Sequence, residues 1–108
     1  MSLALGAALR QTFGETLADL ANEDPRILVL DGDVGSSTGA GIFETAHPAR
    51  YLQTGIAEQN MLAMAAGLAT MGYRPYACTF SCFAVARALD SIRVLVSQPA
   101  LNVKIIGG

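Results

Sequence analysis

The sequence predicts an α/β domain built on a mostly parallel sheet with helices on both faces. Three observations carry that prediction. Apolar residues at helical spacing alternate along the chain with short, strand-like apolar runs. The first such run, Ile27-Leu28-Val29-Leu30, is apolar at every position, as a strand covered on both faces must be. Hydrophobic residues make up 52% of the 108 positions and charged residues only 15%, which suits a packed domain and excludes a disordered tail.

The elements follow in order. Leu9, Phe13, Leu17 and Leu20 recur at helical spacing, and Asn22-Glu23-Asp24-Pro25 stops that helix. The strand over Ile27–Leu30 feeds directly into Asp31-Gly32-Asp33, and residues Gly32 to Gly41 read as a loop of small residues. Tyr51-Leu52 suggests a second short strand. Glu58 to Met71, rich in Ala, Leu and Met, reads as a helix apolar on most sides and therefore buried, with Gly72 ending it. Pro75 to Phe80 reads as a strand, Ser81 to Gln98 as a helix stopped by Pro99, and Asn102 to Ile106 as a further strand. No internal repeat, linker or low-complexity tract interrupts this pattern.

Several function classes are excluded. The net charge of −2 and the lack of any Lys/Arg cluster offer no field for nucleic acid. The uncharged stretches Gln59–Tyr73 and Pro75–Ala86 are too short, and too rich in small residues, to span a bilayer. Residues Met1 to Leu9 lack the basic flank of a signal peptide. A soluble protein is expected, with part of its charge-poor surface covered by another chain. Cys78 and Cys82 read as free core thiols, which suits a reducing cytoplasm; a zinc site would need ligands beyond these two and the distant His47.

Candidate chemistry lies in three segments, Asp31–Gly41, Thr54–Asn60 and Thr79–Phe83, each beginning where a strand ends. Parallel sheets gather such segments on one rim, where ligands bind. The loop at Gly32–Gly39 has neither the Lys-Ser/Thr ending of a phosphate loop nor the Gly-x-Gly-x-x-Gly of a dinucleotide fold, so by itself it is an ordinary connection. Glu58 opens a helix with no other charge before Arg74. It can serve as first-turn dipole compensation or a capping contact. It can equally be a carboxyl desolvated among Ile56, Ala57, Met61 and Leu62 and kept protonated as a hydrogen-bond donor. Phe80 and Phe83 fit either a core or an apolar slot for a flat heteroaromatic ring.

Gly55-Ile56-Ala57-Glu58-Gln59-Asn60-Met61, Gly67-Leu68-Ala69, Tyr73-Arg74-Pro75-Tyr76 and Thr79-Phe80-Ser81-Cys82-Phe83, in this order and spacing, resemble the pyrimidine-binding domain of transketolases. Asp31-Gly32-Asp33-Val34 resembles that family's Asp-bearing segment after the first strand, and Arg10 lies where the family carries an arginine on the first helix. The resemblance covers nearly the whole chain and implies that residues 1–108 are the N-terminal part of such a domain. It implies thiamine diphosphate and Mg²⁺ as cofactors, with Glu58 on the aminopyrimidine ring, Phe80 and Phe83 lining its pocket, and Asp33 among the cofactor contacts. A protonated Glu58 would bind ring nitrogen N1′ and favour the imino tautomer that accepts the C2 proton. Arg10 and Ser37 would bind the phosphate of a sugar-phosphate substrate.

The implied reaction is transfer of a two-carbon ketol unit. A separate domain or subunit would supply the diphosphate and metal site, in a homo- or hetero-oligomer. Departures from the family pattern are Gln59 after the catalytic Glu, where His is frequent, and Ala86 in place of a third pocket aromatic. The family also continues past the position of Gly108 into a sugar-contacting loop. Alternative readings are another thiamine-diphosphate enzyme, such as a 1-deoxyxylulose-5-phosphate synthase or a 2-oxoacid dehydrogenase, and a truncated, non-catalytic module that only binds a partner.

Overall fold

The computed structural model describes residues 3–108; Met1 and Ser2, the start of the uncharged N-terminal stretch, lie outside the described residues. Helix α1 (Leu9–Glu23) leads to strand β1 (Ile27–Asp31). Two short helices, α2 (Gly35–Thr38) and α3 (Ala40–Ala46), and a 3-10 turn (Pro48–Arg50) precede β2 (Tyr51–Gln53). Helix α4 (Glu58–Thr70), β3 (Arg74–Thr79), α5 (Ser81–Ser91), a π-helical turn (Ile92–Ser97) and β4 (Lys104–Gly107) complete the chain.

All four strands are parallel, in the order β2-β1-β3-β4. The two-period of the strands sorts their side chains onto two cores. Leu30 and Ala77 face Met61, Leu62 and Ala65 of α4, Ala88 of α5 and Val96 of the π turn. Val29 and Cys78 face Leu17 and Ala21 of α1 and Phe43 of α3. Helices therefore cover both faces, as the apolar run of β1 requires. From β1 the chain departs toward β2 across one face, and from the adjacent β3 it departs toward β4 across the other. That reversal opens a crevice at the carboxyl ends of β1 and β3.

The structure corrects several sequence expectations. The segment from Gly32 to Gly41 is not a plain loop, because α2 and the start of α3 occupy it. Gly39 breaks the chain between them at φ 88°, a left-handed value that suits glycine. The buried stripe of α1 runs through Gly14, Leu17, Ala18 and Ala21, while Leu9 and Leu20 are exposed. Small residues set this phase: a Cβ on Gly14 would collide with the Gly39 carbonyl, and one on Gly39 with the carbonyl of Arg10. Helix α4 is buried along one side only, with Asn60, Ala63 and Gly67 exposed. The helix expected to run to Gln98 turns π-helical at Ile92, and the wider turn brings Ile92 and Val96 onto the same core. Strands β3 and β4 begin and end within two residues of expectation.

The C-terminus of α1 is held by side chains from far along the chain. Arg50 donates to the carbonyls of Ala21 (2.8 Å) and Asp24 (3.1 Å) and to His47 Nδ1 (2.9 Å). Because Arg50 can only donate, His47 accepts at Nδ1 and donates from Nε2 to the Ala18 carbonyl at 2.9 Å. Arg50→Ala is expected to lower stability by about 1.5–3 kcal/mol, since charge-assisted bonds to orphan helix carbonyls are lost. Urea unfolding, with an unchanged m-value, checks this; a midpoint equal to wild type would remove Arg50 from the account of the fold.

Both cysteines are free thiols, but only Cys78 is in the core; Cys82 is exposed on α5, against expectation. Cys82 falls on the outer side of α5, away from the buried Ala84 and Ala88. Burial, with a smaller contribution from the charge of Asp31, pushes the Cys78 thiol from 9.0 up to about 12. A thiol reagent at pH 8 should therefore modify Cys82 rapidly and Cys78 only after unfolding. The unfolded thiol ionises first, so the stability that the buried thiol contributes is intact below pH 9 and is lost as pH rises from 9.0 toward about 12. Two fast-reacting thiols in the folded chain would contradict the burial.

Candidate functional site

The three segments singled out in the sequence converge at the switch point. Gly32 N–H donates to the Cys78 carbonyl at 3.0 Å, tying the end of β1 to that of β3. Thr54 donates to the Asp31 carbonyl from its backbone N–H (2.9 Å) and its hydroxyl (3.0 Å), tying in the end of β2. The Asp31 carboxylate is almost fully buried, and it accepts from Tyr51 Oη (2.8 Å), Gln53 Nε2 (3.0 Å) and Val34 N–H (3.3 Å). Burial and that bond to Asp31 push ionisation of the Tyr51 phenol well above its usual range, so it remains a donor. Asp31 is thus a saturated structural carboxylate that anchors the rim.

Asp33, two residues on, is different. It sits at φ 65°, a sparsely populated conformation for a residue with a side chain, and its side chain is exposed. Beside this turn lies Thr79, fully buried, whose hydroxyl has no hydrogen-bond partner among the described residues. A Cβ on Gly32 would stand 3.4 Å from that hydroxyl, so glycine keeps the space beside it clear.

Glu58 is the first residue of α4 and is only 4% exposed. It makes no capping hydrogen bond. Among the described residues its hydrogen-bond partner is Arg87 of α5, whose Nη1 donates to Oε1 at 3.3 Å. The environment is therefore less apolar than the neighbouring sequence suggests. Phe80 and Phe83 are half-buried, with ring centroids 5.7 Å apart and planes tilted by 43°. The Arg87 guanidinium lies over the Phe83 ring, 4.0 Å from its centroid. Glu58, Phe83 and Phe80 thus form a continuous patch, bridged by Arg87, beside an open cavity of about 490 Å³ bounded by Ala57, Glu58, Asn60 and Ala86.

Arg10 and Ser37 meet at a second cavity of about 290 Å³, which they line with Phe13, Thr38 and Gly108. Arg10 is exposed in the first turn of α1, which no side chain caps among the described residues. The uncapped N–H groups, the guanidinium and the Ser37 hydroxyl together suit an anion. Gly108 joins this cavity to the aromatic patch: a Cβ there would stand 3.2 Å from Thr38 Cγ2 and 3.3 Å from Phe80 Cδ1. Sequence reading placed Thr79 in a candidate segment without giving it a role, and it missed Arg87. Arg87 lies four residues after Phe83 on one helix, the spacing at which side chains meet.

Among the described residues, no group of three or more His, Cys, Asp or Glu side chains is arranged to hold a metal ion. None of their helices is long and apolar enough to cross a membrane.

A parallel sheet covered by helices on both faces, with its strand order reversing between β1 and β3, belongs to the α/β class that binds ligands at the carboxyl edge of the sheet. The transketolase pyrimidine-binding domain family matches residues 6–107, and this chain belongs to that family. A Methanocaldococcus jannaschii protein, provisionally named a transketolase C-terminal section, is 47% identical over 98 residues, covering 91% of this chain and 31% of that protein. Human transketolase is 41% identical over 97 residues, covering 88% of this chain and 15% of the enzyme. A solved structure described as a split gene transketolase, inactive beta4 tetramer, superposes with a TM-score of 0.84 at 46% identity, over 94% of this chain and 34% of that one. The chain thus spans about a third or less of the relatives it matches.

Proposed function

We propose that this chain supplies the aminopyrimidine half of a thiamine-diphosphate site in a transketolase that transfers two-carbon ketol units between sugar phosphates. The observation that carries the reading is Glu58, a buried carboxylate at the head of α4 that Arg87 joins to the Phe83 ring of a phenylalanine pair. The residues fit the group. A flat ring finds aromatic faces on Phe80 and Phe83, and a nitrogen finds the Glu58 carboxyl.

When bound, thiamine diphosphate supplies the carbon nucleophile that accepts and releases the ketol unit. Glu58 holds or moves a proton at the pyrimidine nitrogen. Phe80 and Phe83 orient the ring and exclude water from it. Asp33, exposed on the turn after β1, is taken as a further cofactor contact. Arg10 and Ser37 hold the sugar phosphate at the adjoining cavity, one glycine away from Phe80.

In this reading Mg²⁺ and the diphosphate are held by a partner domain or subunit, the diphosphate needing a cation beside it. Exposed apolar side chains on α5 and the turn after it, Val85, Leu89, Val94 and Leu95, give the oligomer its contact surface. A cytoplasmic location fits the free thiols. A second reading has its own support: a 1-deoxy-D-xylulose-5-phosphate synthase of Thermosynechococcus vestitus is 45% identical over 82 residues, 76% of this chain.

The test is reconstitution with the diphosphate-binding partner. Isothermal titration should show Mg²⁺-dependent cofactor binding for the reconstituted pair and none at micromolar cofactor for the chain alone. Sugar-phosphate ketol donors should turn over faster than pyruvate; the reverse preference would favour the synthase reading. Tight binding by the isolated chain would remove the need for a partner and overturn the half-site.

A further inference from the structure

The contact between Arg87, Phe83 and Glu58 extends the reading above and rests on it. The face of Phe83 and the carboxylate of Glu58 are what the slot offers to a flat, nitrogen-bearing ring. Arg87 uses both at once. Its planar guanidinium lies 4.0 Å over the Phe83 centroid and donates to Glu58 Oε1 at 3.3 Å. A guanidinium mimics a protonated heteroaromatic ring: it is flat, it stacks, and it presents N–H groups at its edge.

We propose that Arg87 is an intramolecular latch, competing with the pyrimidine ring for Phe83 and Glu58 and swinging aside when that ring binds. Four features make the swing feasible. The Arg87 side chain is 48% exposed, so it leaves without breaking the core. Among the described residues it has no hydrogen-bond partner except Glu58. An open cavity of about 620 Å³ adjoins it, lined also by Asp90, which pairs with Arg93 at 3.3 Å, so the displaced guanidinium has room to move toward a second carboxylate. Ala86, small where a third aromatic would crowd this face, leaves the path clear.

The latch carries a consequence for proton chemistry. While it is closed, Glu58 serves as the acceptor in an ion pair, whereas proton donation to the ring requires the carboxyl to be released from that pair. Ring binding and release of Glu58 from Arg87 are then one event, so the acid is armed only when the slot is filled.

The test uses the complete enzyme reconstituted with its diphosphate-binding partner, titrated with thiamine diphosphate and Mg²⁺. Arg87→Gln removes both competing contacts and should tighten cofactor binding by about 3- to 30-fold, the combined worth of a partly exposed stack and ion pair. Arg87→Lys keeps the charge without the flat stack and should fall between. Thermal unfolding is recorded for both variants, and Arg87→Lys carries the comparison if Arg87→Gln fails to fold. In parallel, the Arg87 Hε resonance of the wild type, shifted upfield by the Phe83 ring, should move toward its free position as cofactor saturates. Equal or weaker binding in the variants, with normal wild-type binding, overturns the latch and leaves the site intact. An Arg87 resonance unmoved at saturation does the same. Absence of cofactor binding in wild type and variants alike overturns the site and the latch together.

Discussion

Replacing Glu58 by Gln in the complete, partner-reconstituted enzyme should slow exchange of the cofactor's C2 proton by roughly 10²–10⁴-fold, the usual worth of a positioned acid–base group. Gln keeps the shape and a hydrogen-bond donor but has no transferable proton. Cofactor affinity should fall much less, because Phe80 and Phe83 still offer their faces to the ring. The alternative role for Glu58 is compensation of the α4 dipole, worth about 0.3–1 kcal/mol of stability. The structure already weakens that alternative: Glu58 makes no cap, and a dipole-compensating carboxylate has no need to be 96% buried, with only 4% of its surface exposed. Quenched NMR at saturating cofactor measures the exchange, with thermal unfolding recorded alongside. A Gln variant that exchanges at the wild-type rate would sink the catalytic assignment, and a loss of stability alone would restore the dipole reading.

Glu58 was legible in the sequence because it is a single charge at the head of a long apolar stretch, and apolar stretches in α/β domains are covered. The same logic located the two faces of the sheet, since β1 is apolar at each of its first four positions. What the pattern could not give was the phase of α1. Hydrophobicity points to Leu9 and Leu20, but the packing is decided by Gly14 and Gly39, whose missing side chains let two backbones touch. Close approach leaves no trace in a hydrophobic period. The helices hidden in the small-residue segment after β1 escaped for a related reason: Gly35, Ser36 and Ser37 have weak helical preference, and tertiary contact overrides it. Cys82 was misplaced because four-residue spacing from Cys78 crosses a strand-to-helix boundary, where the period changes and the two thiols face different surroundings. Arg87 is the instructive omission in the site. Its spacing from Phe83 was visible, but its contact with Glu58 joins positions 29 residues apart and exists only once α4 and α5 pack.

Arg10→Ala in the reconstituted enzyme should raise KM for phosphorylated sugar donors by roughly 30- to 150-fold, the worth of about 2–3 kcal/mol for a charge-assisted phosphate contact. The effect on kcat should stay within about threefold, because the phosphate lies away from the bonds that change and is held alike in ground and transition states. Donors without a phosphate should be almost indifferent. The position of Arg10 argues for this on its own. A cation in the first turn of a helix opposes the macrodipole, so Arg10 costs α1 stability unless an anion is brought to it. It is also placed with care: Gly39 packs directly against its backbone carbonyl, fixing where the guanidinium can reach, and Ser37 lines the same cavity. Ser37→Ala should repeat the pattern at a smaller scale, about fivefold in KM, as expected for a neutral hydroxyl donor. A solvated helix residue with no ligand would behave otherwise, with Arg10→Ala slightly stabilising the fold and leaving both donor types unaffected. Steady-state kinetics with a phosphorylated donor and its unphosphorylated counterpart separate the outcomes, and a loss shared equally by the two would take the phosphate site away from Arg10.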